Sequence, residues 1–289
     1  MKNYFVGAIL LFVMSTGCES KEEIAFPYEG DKIVLTSFMQ PDSLMYLRVT
    51  KSVQIGVSDS FNFPELPQAQ VRLLEDNVPM APFTWKVING RGYFVSAAPV
   101  RADRQYTVQA AMTGFKSVEA TDSLPRQPLA YRGHAQQGIK KIRFTLKDPG
   151  SIKNYYRIRV YSASEPPAGK EAVPQAIIPY RLDPVFSNNF LDRAVDSYYN
   201  TLVLEDERFN GRELVFVLEA QQAITTPYLV VEISALSVTA FKYLKTLTLQ
   251  QQDGGSIITE PVFVYSNVEN GHGVVAGINT RWVAFKVDP

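Results

Sequence analysis

The chain has 289 residues, and its 29 lysine and arginine residues balance its 29 aspartate and glutamate residues. This balance provides no basic excess for a phosphate backbone, which argues against a nucleic-acid-binding protein. A composition of 46% hydrophobic and 20% charged residues is typical of a globular protein rather than a disordered one. The length allows one large or two medium-sized domains. A single cysteine cannot form an intramolecular disulfide or a cysteine-based metal site.

Residues 1–17 have the pattern of a bacterial lipoprotein signal peptide. Lys2 gives a weakly positive start, residues 4–14 are almost wholly apolar, and small residues precede Cys18. The apolar run suits a secretory signal and is too short to span a bilayer stably. Ser15 departs from the usual lipobox, which has an aliphatic residue there. We expect lipidation of Cys18, and the alternative is an ordinary signal peptide with an incidental cysteine.

Residues 18–30 form an acidic tether after the cysteine. Lys21, Glu22 and Glu23 are similar to the signal that sends lipoproteins of Bacteroidota to the outer face of the outer membrane. The alternative is a solvated tether without an export role. We expect the mature protein to be lipid-anchored in the outer membrane and to face the cell exterior.

Residues 31–124 are predicted to form an immunoglobulin-like or transthyretin-like β-sandwich. Short runs rich in β-branched and aromatic residues recur every 8–12 residues or so, without a helical period. The firmest local prediction is a hairpin turn at Asn89 and Gly90, because both residues tolerate the positive φ angles of a type I′ turn. Likeness at the level of a fold does not by itself indicate a function.

Residues 129–289 are predicted to form a second, β-rich domain after a proline-containing linker at 125–128. Residues 163–184 are expected to be irregular, and 186–200 are ambiguous between helix and loop. A helix is predicted at about 237–251, with Ser237 as its N-cap and one apolar face. Strands are predicted at 261–265, 274–278 and 281–287.

Three segments together resemble a known family. They are residues 206–211 before a hydrophobic strand, a strand leading into Ser237 and the helix, and residues 260–273 near the end of the chain. With the lipoprotein start, they resemble an uncharacterised lipoprotein family of Bacteroidota that is catalogued as a domain of unknown function. The resemblance implies an outer-membrane lipoprotein, often associated with a TonB-dependent β-barrel transporter, and brings no catalytic residues. His272 departs from the family, which has an apolar residue there.

Few residues suggest chemistry. His134 and His272 are the only histidines, and neither has metal-ligand spacing, so no metal or cofactor is expected. Glu205, Asp206 and Glu207 cluster, and paired carboxylates are the enzymatic route that remains open. The favoured interpretation is a loop in which Asp206 caps backbone amides and Gly211 has a positive φ. A calcium site in this loop would need more oxygen ligands than one acidic run supplies.

Aromatic residues are the candidates for contacts with a partner. In each of the pairs at 155–156 and 198–199, one tyrosine is expected to be buried and the other to face solvent. Phe61 and Phe63, in a proline-containing loop, are the preferred candidates for binding a partner. The tripeptides at 42–44 and 122–124 resemble acceptor sites for O-glycosylation in Bacteroidota, which would modify Ser43 and Ser123.

The sequence therefore predicts a non-catalytic accessory or binding protein on an outer-membrane β-barrel, such as a TonB-dependent transporter. Its small-molecule, glycan or peptide ligand is left open. One alternative is a fimbrial or surface-structural subunit, which should have a removable first strand and a processing site after an arginine. The first arginine, Arg48, lies inside a predicted strand, which argues against this. The other alternative is a surface hydrolase with paired carboxylates.

Overall fold

The computed structural model of the chain describes residues 30–54, 63–183, 198–253 and 263–289. Within these ranges the helices are α1 (Val238–Asp253) and a short 3₁₀ helix (Asp206–Arg208). The strands of the same ranges are β1 (Ile33–Met39), β2 (Leu44–Lys51), β3 (Gln70–Glu75), β4 (Val78–Pro79), β5 (Thr84–Ile88), β6 (Arg91–Pro99), β7 (Gln105–Ala111), β8 (Val118–Ser123), β9 (Leu129–Ala135), β10 (Lys141–Lys147), β11 (Tyr155–Ala163), β12 (Tyr180–Leu182), β13 (Leu202–Glu205), β14 (Glu213–Ala220), β15 (Tyr228–Leu236), β16 (Val268–Glu269) and β17 (His272–Lys286). The predicted mainly β fold with one packed helix is confirmed.

The strands form three sheets. An eight-stranded sheet has the order β13-β11-β15-β17-β1-β2-β6-β5. A five-stranded sheet, β16-β8-β7-β3-β4, packs on one half of it, and a four-stranded sheet, β12-β14-β10-β9, packs on the other half. Two sandwiches therefore share one continuous sheet.

Each sandwich has its own hydrophobic core. The first contains Leu35, Leu47 and Tyr106, and the second contains Phe144 and Ile158, all of them almost fully buried. Alternation along each strand explains this, because side chains at every second position face the same side of a sheet. In β1, for example, the pattern of burial alternates along most of the strand.

Strand β17 belongs to both sandwiches. Its first part pairs in parallel with β1, from His272 opposite Val34, and its second part pairs antiparallel with β15, ending with Lys286 opposite Tyr228. Val275 accordingly packs in the first core and Val283 in the second. The sequence had predicted two separate strands here. Pairing with β1 and then with β15 keeps the backbone extended through Gly277 and Asn279.

Helix α1 lies on the outer face of the eight-stranded sheet, where it contacts β17, β15, β11 and β13. Ala240 and Phe241 pack there against Val274, Ala276 and other apolar side chains. The hydroxyl of Ser237 accepts a hydrogen bond from the backbone N–H of Ala240 at 3.0 Å, which confirms the predicted N-cap. The apolar residues packed with the helix extend from Phe38 of β1 to Val203 of the edge strand β13.

Other local predictions have mixed outcomes. The turn at Asn89 and Gly90 has φ angles of +50° and +74°, as a type I′ hairpin requires. Strand β9 was not predicted, since its alternation is interrupted at Arg132, which has a φ of +56°. The described residues 263–265 do not form the predicted strand. Most of the ambiguous segment 186–200 lies outside the described residues.

The predicted domain boundary places the end of the chain in the second unit. In the structure, Val268 of β16 packs in the first core, and β16 pairs with β8 of the first sandwich. The linker also contacts β17, because Asn279 donates a side-chain hydrogen bond to the carbonyl of Pro125 at 2.9 Å. The two sandwiches are thus joined by more than the linker.

Candidate functional site

The outer face of the eight-stranded sheet carries a cluster of aromatic and charged side chains beside α1. We call it the aromatic–arginine patch and define it by five residues: Arg157, Arg159, Tyr161, Glu232 and Trp282. They lie on three neighbouring strands, β11, β15 and β17.

The register of the strands brings these residues together. Arg159 lies directly opposite Glu232, which in turn lies opposite Trp282. Arg157 and Tyr161 are two residues either side of Arg159 and therefore share its face. The alternating sequence of β11 thus places its arginines outward while its apolar residues enter the second core.

Glu232 is the centre of the patch, and only 1% of it is exposed. Its carboxylate accepts hydrogen bonds from Nη2 of Arg157 at 2.7 Å and from Nη2 of Arg159 at 2.8 Å. The hydroxyls of Ser234 and Tyr161 donate to it at 3.0 and 3.1 Å. A buried carboxylate with four donors is held in one position, and so are the side chains around it.

The electrostatics of the patch follow from this geometry. Burial by itself raises the pKa of Glu232, but the hydrogen bonds and charges of Arg159 and Arg157 outweigh it, so the pKa lies below its ordinary value. Burial lowers the pKa of Arg157, against the effect of Glu232. Burial and the nearby carboxylate raise the pKa of Tyr161. At neutral pH the three charged groups sum to one positive charge under the aromatic rings.

The aromatic rings form the accessible part of the patch. The rings of Tyr161 and Trp282 lie 5.9 Å apart, and the guanidinium of Arg159 lies 5.7 Å from the centre of the tyrosine ring. Trp282 is 46% exposed although it lies in the middle of a long strand. Such a surface suits binding, because its large side chains are already ordered before any partner arrives.

Most of the site residues predicted from the sequence lie outside the part of the chain that the structure describes. Cys18, Lys21, Glu22, Glu23 and Phe61 lie outside the described residues. Phe63 is described and is 42% exposed. The predictions of lipidation, export and partner binding at these residues stay predictions.

The acidic cluster at 205–207 has structural partners. Glu205 forms an ion pair with Lys153. Asp206 is fully buried, and its carboxylate accepts a hydrogen bond from the backbone N–H of Asn154 at 2.7 Å. Gly211 has a φ of +73°. These contacts agree with the loop interpretation of this segment.

In the described ranges, no group of three or more histidine, cysteine, aspartate or glutamate residues could hold a metal ion. Nδ1 of His134 lies 3.0 Å from a carboxylate oxygen of Asp288, close to the end of the chain. His272 begins β17, where it pairs with Val34.

The tyrosine pairs differ from the prediction. Tyr156 is buried in the second core, as expected, but Tyr155 does not face open solvent. Its ring stacks on that of Phe241 of α1, with the ring centres 4.4 Å apart. Tyr198 lies under the guanidinium of Arg181 at 5.0 Å. The helix and neighbouring strands cover side chains that an isolated sheet would expose.

The structure also places Arg48 and the two serines of the possible glycosylation sites. Arg48 lies within β2, opposite Thr36 of β1, so the structure agrees with its predicted position inside a strand. Ser43 lies in an exposed turn. Ser123 ends β8, and its neighbour Asp122 accepts hydrogen bonds from Ser237 and Gly277.

Sequence reasoning missed the aromatic–arginine patch, although two signals for it are present. Glu232 is the only charged residue of β15, and a charge inside an otherwise apolar strand needs a partner. In β17, Trp282 is next to Val283, so the two side chains face opposite sides of the sheet and only one of them can face the core.

No helix in the described ranges has both the length and the apolar character needed to cross a membrane.

Comparison with known proteins gives a family but no function. No curated protein matches the chain. The family model described as "Domain of unknown function (DUF4249)" matches residues 20–281, which cover most of both sandwiches and end one residue before Trp282. The chain therefore belongs to the DUF4249 family.

Proposed function

We propose that this protein is a non-catalytic, lipid-anchored binding protein of the outer membrane of Bacteroidota. It faces the cell exterior and docks on a β-barrel protein such as a TonB-dependent transporter. The observation that carries the binding role is the exposed Trp282 in the aromatic–arginine patch. The lipoprotein signal and the tether in the sequence support the location.

The composition of the patch supports contact with a protein partner. Tryptophan, tyrosine and arginine are the residue types that contribute most to protein–protein interfaces. Here Trp282, Tyr161 and Arg159 are adjacent on a rigid sheet, and the buried Glu232 orients the arginine. Little side-chain entropy is lost when such a surface is covered.

The anchor at Cys18 would strengthen a weak contact. A lipidated protein and a barrel share one membrane, so the second contact becomes effectively intramolecular and its local concentration rises. A single exposed patch can then support a stable complex. The anchor itself needs more than one acyl chain, because one chain binds a membrane only marginally.

Purification from gently solubilised membranes tests the proposal. Tagged wild-type protein, Trp282→Ala and Tyr46→Ala are compared, and the co-purifying proteins are identified and quantified. Tyr46 is a matched control because it lies on the same face of the same sheet and is also 46% exposed. We expect a stoichiometric barrel with the wild type and Tyr46→Ala, and a loss of at least about tenfold with Trp282→Ala, the effect of one hot-spot residue.

Two results would contradict the proposal. Recovery of the wild-type protein alone would exclude a stable barrel partner. Equal recovery of the barrel with Trp282→Ala and wild type would exclude the patch as the docking surface. Unfolding curves of the three proteins show whether any loss reflects a damaged fold instead.

A further inference from the structure

A polar trough runs across the outer face of the five-stranded sheet, away from the aromatic–arginine patch. It consists of two adjoining clefts with volumes of about 550 and 380 Å³, which share Gln70 and Ala111 in their walls. The trough lies on β3, β7, β8 and β16 and on the turn that follows β16. Its long, open shape suits an extended ligand.

One row of side chains crosses the larger cleft. Arg72 lies opposite Gln109, Gln109 opposite Glu119, and Glu119 opposite Glu269. Directly opposed residues point to the same face, and neighbouring strands are about 4.8 Å apart. The row therefore presents one polar group on each strand, and the distance between neighbouring groups is similar to the width of a sugar ring.

The row is partly ordered without a ligand. The side-chain amide of Gln109 donates a hydrogen bond to Oε2 of Glu119 at 2.7 Å. This bond orients the planar amide and the planar carboxylate side by side. Glu119 and Glu269 are like charges on opposed positions, an arrangement that is unfavourable unless donors lie between them.

The chemistry of the walls selects the class of ligand. Arg72 supplies donors, Glu119 and Glu269 supply acceptors, and Gln109 supplies both. Sugar hydroxyls are both donors and acceptors, and they match such a mixture. Two carboxylates against one guanidinium disfavour phosphates and acidic sugars. An apolar ligand would leave the polar groups unpaired, which costs free energy.

We propose that this trough binds a neutral oligosaccharide. Planar carboxylate, amide and guanidinium groups can each engage two neighbouring hydroxyls of a sugar. The small side chain of Ala111 lets the ligand approach the sheet, and Gln70 extends the row of polar groups into the second cleft. Asn270, in the turn after β16, forms the opposite end of the trough.

Titration calorimetry with the full chain tests this inference. The probes are cello-, malto-, manno- and galacto-oligosaccharides, each titrated into wild type, Gln109→Ala and Gln105→Ala. Gln105 is a matched control, because it is an exposed glutamine of the same strand outside the trough. We expect saturable binding of at least one probe, with affinity about tenfold weaker for Gln109→Ala, which loses about one hydrogen bond. Gln105→Ala should bind like the wild type.

Absence of saturable binding to every probe overturns the inference, and so does unchanged affinity in Gln109→Ala. A heat of binding from calcium chloride, with none from the sugars, would show that the opposed glutamates hold a cation instead. Glu119→Gln is a second variant of nearly unchanged shape, and it should also weaken sugar binding. Unfolding midpoints confirm that each variant is folded.

The result is independent of docking on a barrel. Trp282→Ala should leave sugar binding unchanged, since the patch and the trough lie on different sheets. Chromatography of the recovered probe completes the experiment. Intact oligosaccharide agrees with a non-catalytic protein, whereas cleavage would keep the trough as the binding site and overturn the non-catalytic part of the proposed function.

Discussion

The carboxylate of Asp122 accepts a hydrogen bond from the backbone N–H of Gly277 at 2.8 Å. Asp122 lies near the end of the first sandwich, and Gly277 lies in β17 at the point where its pairing changes from β1 to β15. The same carboxylate accepts a hydrogen bond from the hydroxyl of Ser237, the N-cap of α1. The half-buried side chain of Asp122 thus joins three elements where the two sandwiches meet.

Replacing Gly277 with alanine should destabilise this junction. A Cβ at Gly277 would lie far inside van der Waals contact with the carbonyl oxygen of Ser123, and 3.0 Å from the Cα of Leu124. We expect a loss of about 3 kcal/mol in the free energy of unfolding, as for overpacking in a well-packed interior. Urea denaturation measures it. Gly114→Ala is the control, because a Cβ there meets nothing within 4 Å and only its φ of +89° costs about 1 kcal/mol.

The two tryptophans allow the unfolding of each sandwich to be followed separately. Trp85 packs against the first core and Trp282 lies on the second sandwich, and the chain has no other tryptophan. In each single-tryptophan variant, the midpoint from tryptophan fluorescence should equal the midpoint from far-UV circular dichroism of the same variant, because β17 contributes to both cores. Two separate midpoints would show that the junction does not couple the sandwiches.

Asp122 should also make stability depend on pH. Burial raises its pKa above the ordinary value of 3.8, against the hydrogen bonds of Ser237 and Gly277. The folded state therefore keeps its proton to higher pH than the unfolded state. Relative to Asp122→Asn, the wild type should lose stability as pH rises from about 3.8 through the raised pKa, and then stay constant.

Urea denaturation of both proteins at a series of pH values measures this difference. Asparagine keeps an oxygen that can accept the bond from Gly277 but cannot ionise. A constant difference in the free energy of unfolding across the whole series would show that burial does not govern this group.

Local features were predictable from the sequence because neighbouring residues determine them. Asn89 and Gly90 accept positive φ angles, and the Ser237 hydroxyl can reach the amides of the first helical turn. Both predictions therefore needed no knowledge of the rest of the fold. The alternation of apolar and polar residues in β11 likewise favours a strand.

Long-range pairing was not predictable in the same way. Nothing near Gly277 indicates that β17 continues through it, because the strands on either side come from residues 33–39 and 228–236. The patch depends on the same pairing, since Arg159, Glu232 and Trp282 are distant in sequence. The lone charge of Glu232 signalled a buried partner, but not which arginine would supply it.

The lipid anchor is tested by replacing Cys18 with serine. Serine cannot form the thioether that carries the lipid, so the protein should leave the membrane fraction and lose labelling by a radioactive fatty acid. Ser15→Leu is the control, because it restores the usual aliphatic residue of the lipobox and should keep the protein membrane-bound. A labelled, membrane-bound Cys18→Ser protein would rule out lipidation at this residue.

Glu232→Gln should be among the more destabilising single changes in the chain. It removes the charge that compensates Arg157, whose side chain is 14% exposed, and the half-buried Arg159. Loss of one partner of a buried ion pair costs about 3 kcal/mol or more. Glu219→Gln is the matched control, because the side chain of Glu219 is 22% exposed and that of Glu232 only 1%, so the pair of Glu219 with Arg181 should contribute less than about 1 kcal/mol.

The pH dependence of this loss has a defined sign. The pKa of Glu232 is lowered from 4.5 in the folded state, so its stabilising effect is complete above that value and disappears as pH falls through the lowered pKa. The difference between wild type and Glu232→Gln in urea denaturation should therefore shrink in acid. If Glu232→Gln lowers the free energy of unfolding at neutral pH by no more than Glu219→Gln does, the carboxylate does not hold the patch together. The position of Trp282 would then have to depend on other contacts.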